Sequence, residues 1–204
     1  MSMFDDNRYC WRETYLVMHD RVHRPLASDM VRKLSNLKGY LEICNIRSDS
    51  DDLLDSLVIL ARNDSAAVEM QYHEGDTVVK EFTVLADEME RHELSSQERK
   101  KIVRARNFSA KIELLHFEQM QEDQIRDINA KKHDFPVPLK FPRYSHFVNN
   151  LICENHRNES GAIDESDAFD WTERLDPNIL IKILKLVTRL TLGIAFDPAG
   201  GIVL

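Results

Sequence analysis

Cysteine, glycine and proline are all scarce in this sequence. Its 204 residues include three cysteines, six glycines and six prolines. An odd number of cysteines without a C-x-x-C pair provides neither a disulfide framework nor a thiolate zinc site. With 43% hydrophobic residues, the composition is typical of a globular protein with an ordinary core. We therefore expect reduced thiols and a cytoplasmic location.

Long hydrophobic runs are also missing. The first residues lack a basic start followed by an apolar segment, so the sequence predicts no export signal. The longest apolar tract, 179–192, is interrupted by Lys182, Lys185 and Arg189, which argues against a membrane-spanning helix. We therefore expect no membrane partner.

Positive charge is in the minority. The 27 lysine and arginine residues are outnumbered by 35 acidic residues, and the formal net charge is −8. A negative overall field argues against a protein that coats nucleic acid or an anionic membrane. It leaves room only for a local basic patch.

The most informative stretch is 57–89, which predicts a strand, a turn, a second strand and a helix. A short apolar run at 56–62 is typical of a buried strand, and 68–73 alternates between apolar and polar side chains. After Gly75 the apolar residues follow a helical spacing, at Val78, Phe82, Leu85 and Met89. The alternative interpretation continues the sheet through 78–85, because valine, threonine and phenylalanine favour strands.

The flanking segments complete an α+β pattern. The further predicted elements of the first 118 residues are strand 14–19, helix 27–37, strand 40–46, helix 97–106 and strand 110–117. Ser95 and Glu98 have the spacing of a capping box for the helix that follows them. The order β-α-β-β-β-α-α-β over 1–118 approximates a ferredoxin-like or ACT-like sandwich, an antiparallel sheet with helices on one side.

The remaining residues divide into a connection and an extension. Residues 119–143 are charged and then proline-containing, which is typical of a connection. Residues 144–204 predict a mostly helical extension that packs back on the first sheet. Its elements are helix 144–156, an acidic loop at 157–170, helix 179–192, and short strands at 194–196 and 202–204.

Three short stretches resemble a known family. They are Arg12-Glu13-Thr14-Tyr15 leading to Arg24-Pro25, Leu115-His116-Phe117-Glu118, and Gly193-Ile194-Ala195-Phe196-Asp197-Pro198. On the basis of these stretches, the chain resembles an uncharacterised family of bacterial, planctomycete-type cytoplasmic proteins. The resemblance spans nearly the whole chain. The resemblance implies a cytoplasmic bacterial protein and no particular chemistry.

Histidines supply the candidate metal ligands. His116 and Glu118 fall on one face of a predicted strand, and His73 lies on the polar face of another. If the two strands are neighbours, these side chains come within reach of one metal ion or one proton. The alternative is a histidine that is hydrogen-bonded within a half-buried sheet. His19 and His23 have the i, i+4 spacing of helical ligands, but their segment leaves a strand, which favours surface histidines.

Five basic residues near one predicted helix are candidate contacts for phosphate or nucleic acid. They are Arg99, Lys100, Lys101, Arg104 and Arg106. No aromatic residues for base stacking are interleaved with them, which favours a solvated helix face.

No nucleotide-binding glycine loop and no catalytic nucleophile motif occurs in the sequence. We therefore expect a non-enzymatic binding or regulatory domain that recognises a protein partner or a small effector. The apolar helix could also form a homodimer interface, through Ile179, Ile183, Leu186 and Leu190. The alternatives are a metal-dependent protein or enzyme built on the His/Glu cluster, and a weak nucleic-acid binder through the basic helix. No cofactor follows from the sequence.

Overall fold

The computed structural model describes residues 3–37, 40–120 and 177–204, which form an α+β structure. Its strands are β1 (Tyr9–His19), β2 (Leu41–Ser48), β3 (Leu54–Ala61), β4 (Ala66–Glu74), β5 (Ala110–Gln119), β6 (Ile194–Asp197) and β7 (Ile202–Val203). Its helices are α1 (Ala27–Ser35), α2 (Asp76–Met89), α3 (Ser96–Ala105) and α4 (Pro177–Thr191). The predicted order of the first eight elements is confirmed. The predictions for 121–176, which include the helix at 144–156 and the acidic loop at 157–170, lie outside the described residues.

The described strands form one antiparallel sheet in the order β2-β3-β4-β5-β1-β6-β7. β1 lies inside the sheet, paired with β5 on one side and with β6 on the other. Its C-terminal end is apolar on both faces, because Val17 belongs to one core cluster and Met18 to another. We call the face of Val17 the first face and that of Met18 the second. Helices pack on the apolar residues of both faces, so the prediction of helices on one side only is wrong.

Helices α1 and α4 cover the first face. Met30 and Leu34 of α1 and Ile183 and Val187 of α4 are fully buried in the same core cluster. Each large aliphatic side chain buried in this way contributes roughly 1.5–3 kcal/mol. α4 is therefore part of the main core. No helix in the described part of the chain has the length and apolar content needed to cross a bilayer.

Helices α2 and α3 lie over the second face. Gly75, with a φ of 102°, turns the chain out of β4 and ends the strand pattern. α2 then buries Val78 and Phe82, and the Phe82 ring packs edge-on against Phe196 of β6 with centroids 4.9 Å apart. The helical interpretation of 78–85 is confirmed.

A capping box begins α3, as predicted. The Ser95 hydroxyl accepts a hydrogen bond from the Glu98 backbone N–H (3.3 Å), and the Glu98 carboxylate accepts one from the Ser95 N–H (2.8 Å). Ile102 and Ala105 are fully buried in the core of the second face. Because these two residues fix the orientation of the helix, most of its charged side chains point to solvent.

The chain passes tightly from α4 into β6. Leu192 follows the helix with a φ of 50°, and Gly193 then lies directly over β1. A Cβ atom on Gly193 would stand 2.6 Å from the Met18 carbonyl oxygen and 2.9 Å from Val17 Cγ1. Only glycine fits there. It lets β6 pair with β1, so β6 and β7 belong to the same sheet as the N-terminal strands.

Candidate functional site

The sheet separates the histidines of the predicted metal cluster. β4 and β5 are neighbours, as the prediction required, but His73 lies opposite Lys111 whereas His116 lies opposite Val68. An offset of five residues along β5 places the two histidines on opposite faces and roughly 17 Å apart along the strand. His73 and His116 therefore share no site. No group of three or more histidine, cysteine or acidic side chains is arranged to hold a metal ion among the described residues.

His116 instead forms a pair with Glu13 of β1. Its Nδ1 lies 3.0 Å from Glu13 Oε1, and because a carboxylate only accepts, Nδ1 is the donor. Its Nε2 is buried and has no hydrogen-bond partner among the residues that the structure describes. The other predicted ligand, Glu118, forms an ion pair of 2.5 Å with Arg12. The sequence analysis missed Glu13 because its predicted strand began at residue 14.

His73 belongs to an ion-pair chain on the second face. Its Nε2 lies 3.5 Å from Glu113, Glu113 lies 2.5 Å from Lys111 Nζ, and Lys111 reaches Glu81 of α2 at 2.8 Å. Burial alone would raise the pKa of Glu113, but the contact with His73 and the charge of Lys111 outweigh it and lower the pKa to about 2. Burial opposes the charge of Lys111 as well, yet Glu113 and Glu81 raise its pKa. This chain of charges fixes α2 to the sheet.

His19 and His23 do not form a ligand pair. His19 is fully buried at the end of β1, and its Nδ1 lies 2.9 Å from the Asp20 carbonyl oxygen, so Nδ1 carries the proton. Burial lowers the pKa of His19, and its ring is therefore neutral at pH 7. His23 is exposed in a 3-10 turn at 21–23 and not on an α-helix. The spacing of the two therefore does not align their rings on a common helix face.

The residues of the predicted dimer interface pack inside the monomer. Ile179 and Ile183 are buried in the core of the first face, and Leu186 and Leu190 pack half-buried against the same cluster. Ile179 and Ile183 are therefore covered within one chain, and the homodimer interface stays a prediction. The helix is apolar on most of its circumference because it lies against the sheet and α1.

Three of the five predicted basic residues meet at an open groove beside α3. Lys100, Lys101 and Arg104 line a groove of about 440 Å³. Its other lining residues come from α4, β6 and the C-terminal end of the sheet, namely Thr188, Gly193, Ile194 and Leu204. Two predicted residues lie elsewhere: Arg106 forms ion pairs with Asp87 and Glu90, and Arg99 donates to a backbone carbonyl one turn earlier. We call the groove lined by the three cations and these four other residues the basic groove.

Backbone carbonyls hold two of these cations in place. Lys101 Nζ donates to the Leu204 carbonyl oxygen at 3.0 Å, and Arg104 Nη2 donates to that of Leu192 at 3.4 Å. The Arg104 guanidinium also lies over the Phe108 ring, 5.6 Å from its centroid. No aspartate or glutamate side chain of the described residues forms an ion pair with Lys100, Lys101 or Arg104. Lys101 and Arg104 thus meet main-chain oxygens and not carboxylate side chains, so no aspartate or glutamate of the described residues compensates their charges.

Helix α4 carries further exposed positive charge, which the sequence analysis missed. α3 carries four basic residues and one acidic residue, and α4 carries three basic residues and none that is acidic. The basic residues of α4 are all exposed, at Lys182, Lys185 and Arg189. The two helices thus have a combined charge of +6 in a chain of −8. The sequence signal was present, but these residues were interpreted only as interruptions of an apolar tract.

Comparison with known proteins adds no assignment. No family model matches this chain, and no curated protein or solved structure matches it.

Proposed function

We propose that this protein is a non-enzymatic binding domain that recognises an anionic small effector in the basic groove. One observation carries the proposal: three cationic side chains, which have no aspartate or glutamate partner among the described residues, line one open groove. Its volume of about 440 Å³ lies within the range of small-molecule sites.

The strength of binding follows from the chemistry of the groove. A hydrogen bond between an ionised donor and an anion contributes roughly 1.5–3 kcal/mol. Two or three such bonds, less the cost of immobilising a small ligand, correspond to a Kd on the order of 100 μM for a compact divalent anion. Such affinity suits an effector that binds and leaves reversibly.

The other sites that the sequence suggested offer less support for a function. His73 is engaged with Glu113, and His116 with Glu13, on opposite faces of the sheet. The ferredoxin-like or ACT-like comparison, the bacterial cytoplasmic origin and a homodimer stay predictions, and the groove proposal does not depend on them.

Nucleic acid is the second candidate ligand. α3 carries four basic residues and α4 three, which is more positive charge than one small anion needs. A polyanion that neutralised several of these charges would lose affinity steeply with added salt, whereas a small divalent anion would lose much less. The salt dependence of binding therefore separates the two ligands.

Isothermal titration calorimetry with inorganic pyrophosphate at low ionic strength tests the proposal. We expect one bound anion per chain and a Kd at least about tenfold weaker for the double variant Lys100→Gln/Arg104→Gln, because each substitution removes a charged donor. Lys80→Gln is the matched control, since Lys80 is an exposed lysine of α2 outside the groove. Absence of binding, or equal weakening by the control, would contradict the proposal.

A further inference from the structure

Strand β2 forms one edge of the sheet, and among the described residues no strand pairs with its outer side. Five of its eight residues are exposed. An exposed edge carries backbone N–H and C=O groups with which another strand can pair. We infer that this edge binds the β2 edge of a second copy of the chain, antiparallel and across a twofold axis at Cys44. The interface shares no residue with the basic groove or with the dimer face predicted on α4.

A bulge decides which side chains of β2 lie on the same face of the sheet. Cys44 lies opposite Val58 and Arg47 lies opposite Ser56, so three steps along β2 match two steps along β3. The extra residue falls at 45–46, where Asn45 has a φ of 51°. Arg47 therefore points to the same face as Cys44, although strict alternation would place them on opposite faces.

The order of charges along this face is complementary to itself. Glu42, two residues before Cys44, shares the face, so an acidic, a neutral and a basic side chain follow one another along the edge. Antiparallel pairing about an axis at Cys44 brings Glu42 of each copy opposite Arg47 of the other. Opposite charges facing each other across two strands favour the pair, whereas a parallel arrangement in this register would oppose like charges.

Both charged side chains are accessible to a second copy. Arg47 is exposed and forms no ion pair within the described part of its own chain. Glu42 contacts Arg62 at 2.6 Å, and both of these side chains are more than half exposed. Charges and a bulge on an edge strand hinder pairing with unrelated strands. The self-complementary order of the charges therefore selects another copy of the same strand.

The other face of this edge contributes apolar contact. Ile43 packs half-buried against the core cluster of the first face. Ile46 is 46% exposed. In the same antiparallel register, Ile43 of each copy lies opposite the bulge at 45–46 of the other. Pairing would cover Ile46 beside Ile43, and such aliphatic cross-strand pairs add to the charge contacts on the opposite face.

Sedimentation velocity over a series of protein concentrations tests the inference. We expect a reversible dimer of the wild type, and a dimer dissociation constant at least about tenfold weaker for Arg47→Glu, because two attractive pairs per dimer become repulsive. Glu42→Lys should weaken the dimer in the same way. An equal mixture of the two variants should dimerise again, since each side chain at position 42 then faces an opposite charge at position 47.

Arg91→Glu is the matched control, because Arg91 is an exposed arginine outside the sheet that forms no ion pair within the described residues. Hydrogen exchange supplies a second readout: the amides of 41–48 should exchange more slowly at concentrations that form the dimer, and those of β7 at the other edge should not change.

Three results would each overturn the inference. They are a wild type that stays monomeric at every concentration, a dimer that Arg47→Glu weakens no more than the control does, and a mixture of the two variants that remains monomeric. Because β2 and the basic groove are separate, any of these results leaves the proposed function standing.

Discussion

Glu113 provides a quantitative test of the ion-pair chain on the second face. The substitution Glu113→Gln keeps the shape of the side chain and removes the charge that Lys111 and His73 contact. In the folded protein the pKa of Glu113 is about 2, against 4.5 for the free group. That difference corresponds to roughly 3 kcal/mol. Because the side chain remains 23% exposed, we expect a loss of about 2 kcal/mol at pH 7.

The pH dependence has a definite sign. A carboxyl group with a lowered pKa in the folded state stabilises the fold at every pH above its unfolded value, here 4.5. That stabilisation falls as the pH drops from 4.5 toward about 2, where Glu113 becomes protonated in the folded state as well. The stability difference between the wild type and Glu113→Gln should therefore be constant near neutrality and shrink across this window.

Urea denaturation of the wild type and the variant at a series of pH values measures this difference. The control is Glu88→Gln. Glu88 is an exposed acidic residue of α2 that forms no ion pair in the described residues. A loss at pH 7 that does not exceed that of Glu88→Gln, or a difference that persists unchanged to pH 2, would refute the assigned role of the cluster.

Two further predictions concern the buried parts of the fold. Gly193→Ala should lower the free energy of unfolding by more than about 2 kcal/mol, since its Cβ would collide with the backbone of Met18; a thermal midpoint equal to the wild type would contradict this close passage. His19 is buried with a lowered pKa, so its stabilising effect is complete above its unfolded value of 6.5 and is lost as the pH falls below it. The variant His19→Leu should lack this part of the acid sensitivity in urea titrations, and identical pH profiles for the two proteins would argue against it.

Local sequence patterns predicted the elements well because their signals are local. The apolar spacing of α2, the capping box of α3 and the alternation of β4 each depend on residues within a few positions of one another. Their order along the first 118 residues followed from the same signals.

Pairing between distant strands was not accessible in this way. Glu13 meets His116 because β1 pairs with β5 across about a hundred residues of chain, and no periodicity specifies that partner. The register of β4 against β5 decided that His73 and His116 lie on opposite faces. A register shifted by one residue would have placed the two histidines on the same face of the sheet, so alternation alone could not predict the site.

The basic groove was predictable only in part. The sequence identified the basic face of α3, but the contribution of α4 depends on the tight passage of the chain from α4 into β6 at Gly193. That passage brings Thr188 and Ile194 beside Lys100, although about ninety residues separate them from it in the sequence.

Chemical-shift mapping with pyrophosphate on ¹⁵N-labelled protein tests the central claim most directly. Binding in the basic groove predicts saturable shifts of the backbone amides of Lys100, Arg104, Gly193 and Ile194, with those of β2 and β3 unchanged. The same titration of Lys100→Gln/Arg104→Gln should show these shifts only at much higher anion concentration. Shifts scattered over the whole surface, or none at these residues, would contradict the assignment of the groove as an anion site.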